Sequence, residues 1–301
     1  MPVSTPTRAA LLMLGSTVFF GLMAVSIKLA AETLHTFEIA FFRNFFGLAA
    51  ALPLLLRHGP GLLRTTQLPR YLVRCVIGVA SMLCGFWAIG HLPLAQAVSL
   101  SYSTPIFVTI AAVVFLHEQV RARRWAAVAV GFLGVLVITR PGSGDFSAGM
   151  LIALAAAVLS GIVSIQIKQL SYTEPADRIV FYTTLLWVPL SLAPALFVWE
   201  WPRGITWLWV VSAGFLGTGG HMLWTRALKL GDVSALTPIS FMQLPLVAVA
   251  GWLLFDEGIS RSTVVGAGII FAANAYIAHR EAQLARRART SAPLEAAKPG
   301  E

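Results

Sequence analysis

Apolar residues run through this chain in blocks of about 20, the length a helix needs to cross a bilayer core roughly 30 Å thick. Read against turn signals, the blocks predict ten helices. The first five are Ala9 to Ala31, Thr36 to Leu56, Tyr71 to His91, Leu94 to Leu116 and Trp125 to Thr139. The second five are Ser147 to Leu170, Asp177 to Val198, Trp207 to Leu228, Val233 to Phe255 and Thr263 to Ala278. Several joints are explicit stops, such as Arg57-His58-Gly59-Pro60, Arg140-Pro141-Gly142 and Trp201-Pro202-Arg203-Gly204. Proline there removes a backbone donor and clashes with the preceding turn. From His279 the chain turns polar, with Arg286, Arg287 and Arg289, and residues 281–301 read as a solvated tail.

The blocks also repeat. A shift of 140 residues matches Gly21, Ile27, Lys28, Ile39 and Phe41 to Gly161, Ile167, Lys168, Ile179 and Phe181. A shift of 139 matches Ala88, Ser101 and Glu118 to Ala227, Ser240 and Glu257. Each half holds five spans, an odd number, so the second copy enters the membrane upside down. The predicted fold is therefore an all-α membrane protein: ten transmembrane helices in two inverted five-helix repeats, residues 9–140 and 147–280.

Composition and charge sharpen this picture. The 301 residues are 57% hydrophobic and 12% charged, about half the charged fraction of an average soluble domain. No water-soluble core of this length buries so much apolar surface. The net charge of +9 would suggest nucleic acid in a soluble protein, but the basic residues fall between the blocks and in the tail. Arg57, Arg64, Arg70 and Arg74 surround the second joint, Arg121, Arg123 and Arg124 the fourth, and Arg226 and Lys229 the eighth. The intervening joints carry at most Arg140, Arg203 and Arg261. Positive residues stay inside, so both termini are expected in the cytoplasm of a bacterial inner membrane. The first block is too long for a signal-peptide core and is expected to be retained. Cys75 and Cys84 lie on opposite sides of one predicted helix and read as packing residues.

Pro105 through Phe115-Leu116-His117-Glu118, a basic turn and then Gly131-Phe132-Leu133-Gly134-Val135 resemble the EamA domain of the drug/metabolite transporter superfamily. Pro245 through Asp256-Glu257 to Gly266 and Gly268 is similar to its second copy. The resemblance covers roughly residues 9 to 280. It implies a central substrate cavity, and a substrate range over amino acids, nucleotide-derived metabolites, vitamins and drugs.

Candidate chemistry lies in polar groups inside the spans, where broken helices face a cavity instead of lipid. In the fourth span Ser99, Tyr102 and Ser103 share one face ahead of Pro105, and the ninth repeats the device with Thr237, Ser240, Phe241 and Gln243 ahead of Pro245. Each proline frees the carbonyl four residues back, Ser101 or Phe241, so a kink or a ligand contact is expected there. The competing reading is that such hydroxyls bond their own backbone or join helices. Arg43 is the most deeply placed charge, and its repeat counterpart is Thr183. Charge in hydrocarbon is costly and usually functional. Lys28 and Glu38 flank the first hairpin and could pair across it; Glu174 and Asp177 offer Lys168 the equivalent. His221, in a glycine-rich stretch with Gly214, Gly217, Gly219 and Gly220, is with Glu38 the candidate for proton coupling. Trp87, Trp224 and Phe20 could stack on a heterocycle or simply pack helices.

Catalytic signatures, a Walker loop and Cys/His metal spacing are absent from the sequence. Gly266 and Gly268 begin a dinucleotide fingerprint without its third glycine. The expectation is a secondary carrier without cofactor or metal. Its partners would be the bilayer, a small metabolite with a carboxylate or phosphate and a coupling proton, with a homodimer compatible. The alternatives are a multidrug or cationic-compound exporter of the same fold, a membrane enzyme, for which no acid/base cluster is present, and a non-transporting scaffold.

Overall fold

The computed structural model describes residues 5–59, 64–117, 122–143, 146–230, 236 and 239–296. Pro60, Glu118 to Arg121, Val233 and Thr237 lie outside them. Every regular element among the described residues is helical. The first half contains α1 (Thr5–Ala30), α2 (Thr36–His58), α3 (Leu68–His91), α4 (Leu94–Ser101), α5 (Thr104–Leu116) and α6 (Ala122–Thr139). The second contains α7 (Ala148–Ser171), α8 (Ala176–Ala195), α9 (Thr206–Leu230), α10 (Gln243–Phe255) and α11 (Arg261–Ala296).

Among the described residues six stretches are long and apolar enough to cross a membrane: Thr7–Ala30, Leu68–His91, Leu94–Leu116, Ala148–Ser171, Asp177–Ala195 and Arg261–His279. Trp125–Thr139 and Gln243–Phe255 are apolar but shorter. The chain is a multi-pass membrane protein. Large apolar side chains such as Phe115, Leu133, Trp252 and Leu253 are more than half exposed, which suits lipid and would aggregate in water.

Two expectations change. The fourth predicted helix is two, α4 and α5, with a turn at Tyr102 and Ser103. The ninth likewise turns at Phe241 and Met242 before α10. Pro105 and Pro245 are the cause, and neither freed carbonyl waits for a ligand. The Ser101 carbonyl accepts from the Thr104 hydroxyl at 2.8 Å, and the Phe241 carbonyl from the Leu244 amide at 3.0 Å. The polar tail begins as a helical continuation of α11, which runs to Ala296. Ala, Glu, Gln, Leu and Arg after His279 are good helix formers, and no proline interrupts them before Pro293.

α1 packs along α9 and α3 along α7, α2 meets α8 and α9, α6 meets α11, and α5 and α10 lie on α7 and α1. Replacing each helix by its counterpart in the other half turns α1–α9 into α7–α3 and α5–α7 into α10–α1. It leaves α2–α8 and α6–α11 unchanged. Glycine permits the α6–α11 contact. A Cβ on Gly134 would fall 2.8 Å from the Gly266 carbonyl oxygen, and one on Gly266 2.6 Å from that of Gly134.

Candidate substrate site

The two helix breaks meet. Tyr102 stacks on Phe241, its counterpart in the other half, with ring centroids 4.2 Å apart and planes at 26°. The Tyr102 hydroxyl donates to the Ser240 carbonyl at 2.6 Å and lies 3.1 Å from Gln243 Oε1. Asn274 Nδ2 donates to the Tyr102 carbonyl at 2.8 Å, and Phe271 packs edge-on against Phe241. Four predicted site residues, Tyr102, Ser240, Phe241 and Gln243, therefore converge, joined by Asn274 and Phe271, which the sequence reading missed. Ser99 and Ser103 are buried beside them, but their hydroxyls donate at 2.6 Å to the nearby Ala95 and Leu100 carbonyls of α4.

Arg43 stands at a second centre. It is 5% exposed, and Nη1 donates to Asn44 Oδ1 at 3.0 Å. Asn44 Nδ2 donates to Ser191 Oγ at 3.1 Å, and that hydroxyl donates to the Trp187 carbonyl at 2.6 Å. The guanidinium lies over the Trp187 ring, 5.7 Å from its centroid. Gly217 makes room for it, since a Cβ there would fall 2.7 Å from Arg43 Nη2 and 2.8 Å from Met23 Sδ. One turn along α9, His221 packs edge-on against Phe20 with centroids 5.0 Å apart. His221 is itself exposed.

Arg74 belongs to this region and was misassigned. Counted from sequence as a topological charge at a joint, it is inside α3, 6% exposed, and its Nη1 donates to Thr183, the repeat counterpart of Arg43. The signal was available: Arg74 follows Tyr71 by one turn within the predicted helix. Asn44 and Trp187 carried no sequence signal beyond polarity in an apolar run.

The remaining candidates lie elsewhere. Trp87 stacks on His91 at 3.9 Å near the end of α3, and Trp224 is 42% exposed. Glu38 caps α2: Oε2 accepts from the His35 amide at 3.1 Å and Oε1 from the Glu200 amide. The expected Lys28–Glu38 pair does not form. Lys28 pairs instead with Glu257 of the other half and donates to the Leu92 carbonyl at 2.6 Å, because tertiary packing brings the loop after α10 to the end of α1. Glu174 is engaged by Arg178 at 2.8 Å and by Thr65 at 2.5 Å. A cavity of about 390 Å³ between the α3–α4 joint and the start of α11, with Gln96, Arg140 and Ser260 in its wall, includes none of the predicted site residues.

A multi-pass helical bundle with buried cationic and aromatic groups defines the class, an integral membrane protein. The chain belongs to the EamA-like transporter family, which matches residues 7–140 and again 147–278. It is a transporter-type protein of the drug/metabolite class, not an enzyme. It is 30% identical over 257 residues to the S-adenosylmethionine uptake transporter of Rickettsia felis, covering 85% of this chain and 87% of that one. It is 32% identical over 232 residues to the riboflavin transporter of Vibrio cholerae, covering 76% and 78%. The pseudopaline exporter CntI of Pseudomonas aeruginosa is 32% identical over 264 residues, covering 84% and 90%. A solved crystal structure superposes with a TM-score of 0.62 at 20% identity, over 91% of this chain and 98% of the other, a likeness of fold.

Proposed function

We propose that the chain is a secondary transporter of the bacterial inner membrane. It moves a small organic metabolite bearing a carboxylate or phosphate by alternating access between two inverted five-helix repeats, with both termini cytoplasmic. The carrying observation is Arg43: buried, ion-paired with no described carboxylate, and with Nε left without an acceptor. Burying a cation without a counter-charge costs several kcal/mol, a cost that an anionic substrate offsets. Trp187 beside it, and the Phe20–His221 ring pair one turn away, suit a flat heterocycle.

The exchangeable helix contacts and the odd span count support the inverted arrangement. The named substrates of the relatives support the size class. Among them S-adenosylmethionine combines a carboxylate with a heteroaromatic base, and it is the first probe to try. In proteoliposomes, Arg43→Gln is expected to lower S-adenosylmethionine exchange at least tenfold while the protein inserts and unfolds like wild type. Exchange by the wild type that Arg43→Gln leaves unchanged sinks the assignment of Arg43.

A further inference from the structure

Thr183, Trp187 and Ser191 stand on successive turns of one face of α8, about 6 Å apart along its axis. Two buried arginines from two other helices are fastened along this face. Arg74 of α3 binds Thr183 at one end. Arg43 of α2 overlies Trp187 in the middle and reaches Ser191 through Asn44 at the other. The buried polar atoms left without a partner along this ladder are Arg43 Nε, Trp187 Nε1 and Arg74 Nε. All three are donors. Among the described residues neither guanidinium forms an ion pair with a carboxylate.

Two uncompensated cations along one helix face raise each other's cost, and three unmatched buried donors call for acceptors. Ordinary packing does not account for this, because a single structural arginine would be met by carbonyls or an acid. We propose that Arg74 is a second anchoring group of the substrate site, and that the ligand carries two anionic groups, one for each guanidinium, joined by a middle portion lying along Trp187. The inference rests on the anion reading of Arg43. The span from Thr183 to Ser191, about 12 Å of helix axis, bounds the separation of the two charges.

The test is calorimetric binding to the purified full-length chain in detergent. The probes are the α,ω-dicarboxylates from succinate to suberate and the monoamide of each, which keeps the shape and removes one charge. The expected result is one preferred length at which the diacid binds about tenfold more tightly than its monoamide, the scale of one charge-assisted hydrogen bond. Arg74→Gln removes that preference and leaves monoamide binding intact, whereas Arg43→Gln weakens both. Thr183→Val keeps the charge but releases Arg74 Nη1, and moves the preferred length; it serves if Arg74→Gln does not fold. A preference and optimum untouched by either Arg74→Gln or Thr183→Val overturn the role of Arg74 and leave Arg43 standing. Absence of binding by every probe to the wild type overturns the two-anion ligand, and the Arg43 reading is then decided by the exchange assay alone.

Discussion

At Gly214 a Cβ would fall 2.5 Å from Phe46 Cβ and 3.0 Å from both the Arg43 carbonyl oxygen and the Gly47 nitrogen. At Gly217, nearly one turn on, the obstructing atoms are the flexible ends of Arg43 and Met23. Backbone cannot step aside, whereas a guanidinium and a thioether can. Gly214→Ala is therefore expected to destabilise the protein by about 1–3 kcal/mol, the usual cost of overpacking, and to lower its apparent unfolding temperature in detergent. Gly217→Ala is expected to unfold close to wild type but to push the guanidinium off Trp187, lowering affinity for carboxylate probes. A Gly217→Ala variant that binds normally, or a Gly214→Ala variant as stable as wild type, would contradict this division between neighbouring turns.

Between elements, the firmest link across the halves is Lys28 with Glu257. Glu257 Oε2 also accepts from the Leu94 amide at 2.7 Å, so one carboxylate caps α4 and neutralises the end of α1. Both side chains are largely buried, at 11% and 17% exposure, so an unpaired partner is costly. Glu257→Gln, which keeps an acceptor for Leu94 but strands the ammonium, is expected to cost about 3 kcal/mol. The double variant Lys28→Met, Glu257→Gln is expected to regain most of that in thermal unfolding. Additive losses in the double variant would mean that the two groups do not act as a pair. The sequence pointed to both residues, Lys28 as a span charge and Glu257 as the end of a repeated proline-to-glutamate pattern, but paired Lys28 with Glu38, its neighbour along the chain. Periodicity was enough to place most of the helices, and proline chemistry to expect a kink ahead of Pro105 and Pro245, though not that each span divides in two there. What they could not supply was which distant turn lies opposite which, and that decides the partners of Lys28, Arg74 and Trp187. For Ser99 and Ser103 the local reading holds, since carbonyls three and four residues back accept their hydroxyls.

Across the whole molecule, the 36 residues of α11 extend about 54 Å, well beyond a bilayer core of roughly 30 Å. In the proposed orientation its arginine-rich end projects into the cytoplasm and the turn at Ser143 faces outward. On a background lacking Cys75 and Cys84, Ser143→Cys is expected to react with a membrane-impermeant thiol reagent in intact cells, and Gln283→Cys only after the cells are opened. The opposite pattern would invert the topology.

Two identical halves would give a carrier whose inward-open and outward-open forms are related by a two-fold rotation in the membrane plane and have equal free energy. Tyr102 donates its hydroxyl across the junction to the Ser240 carbonyl, and Phe241, standing in the equivalent place, has nothing to return to Ser101. Under the proposed exchange of states, that single oxygen lifts the degeneracy. The face on which the empty protein rests, and hence the side from which it first meets its cargo, is then set in part by one unreciprocated bond.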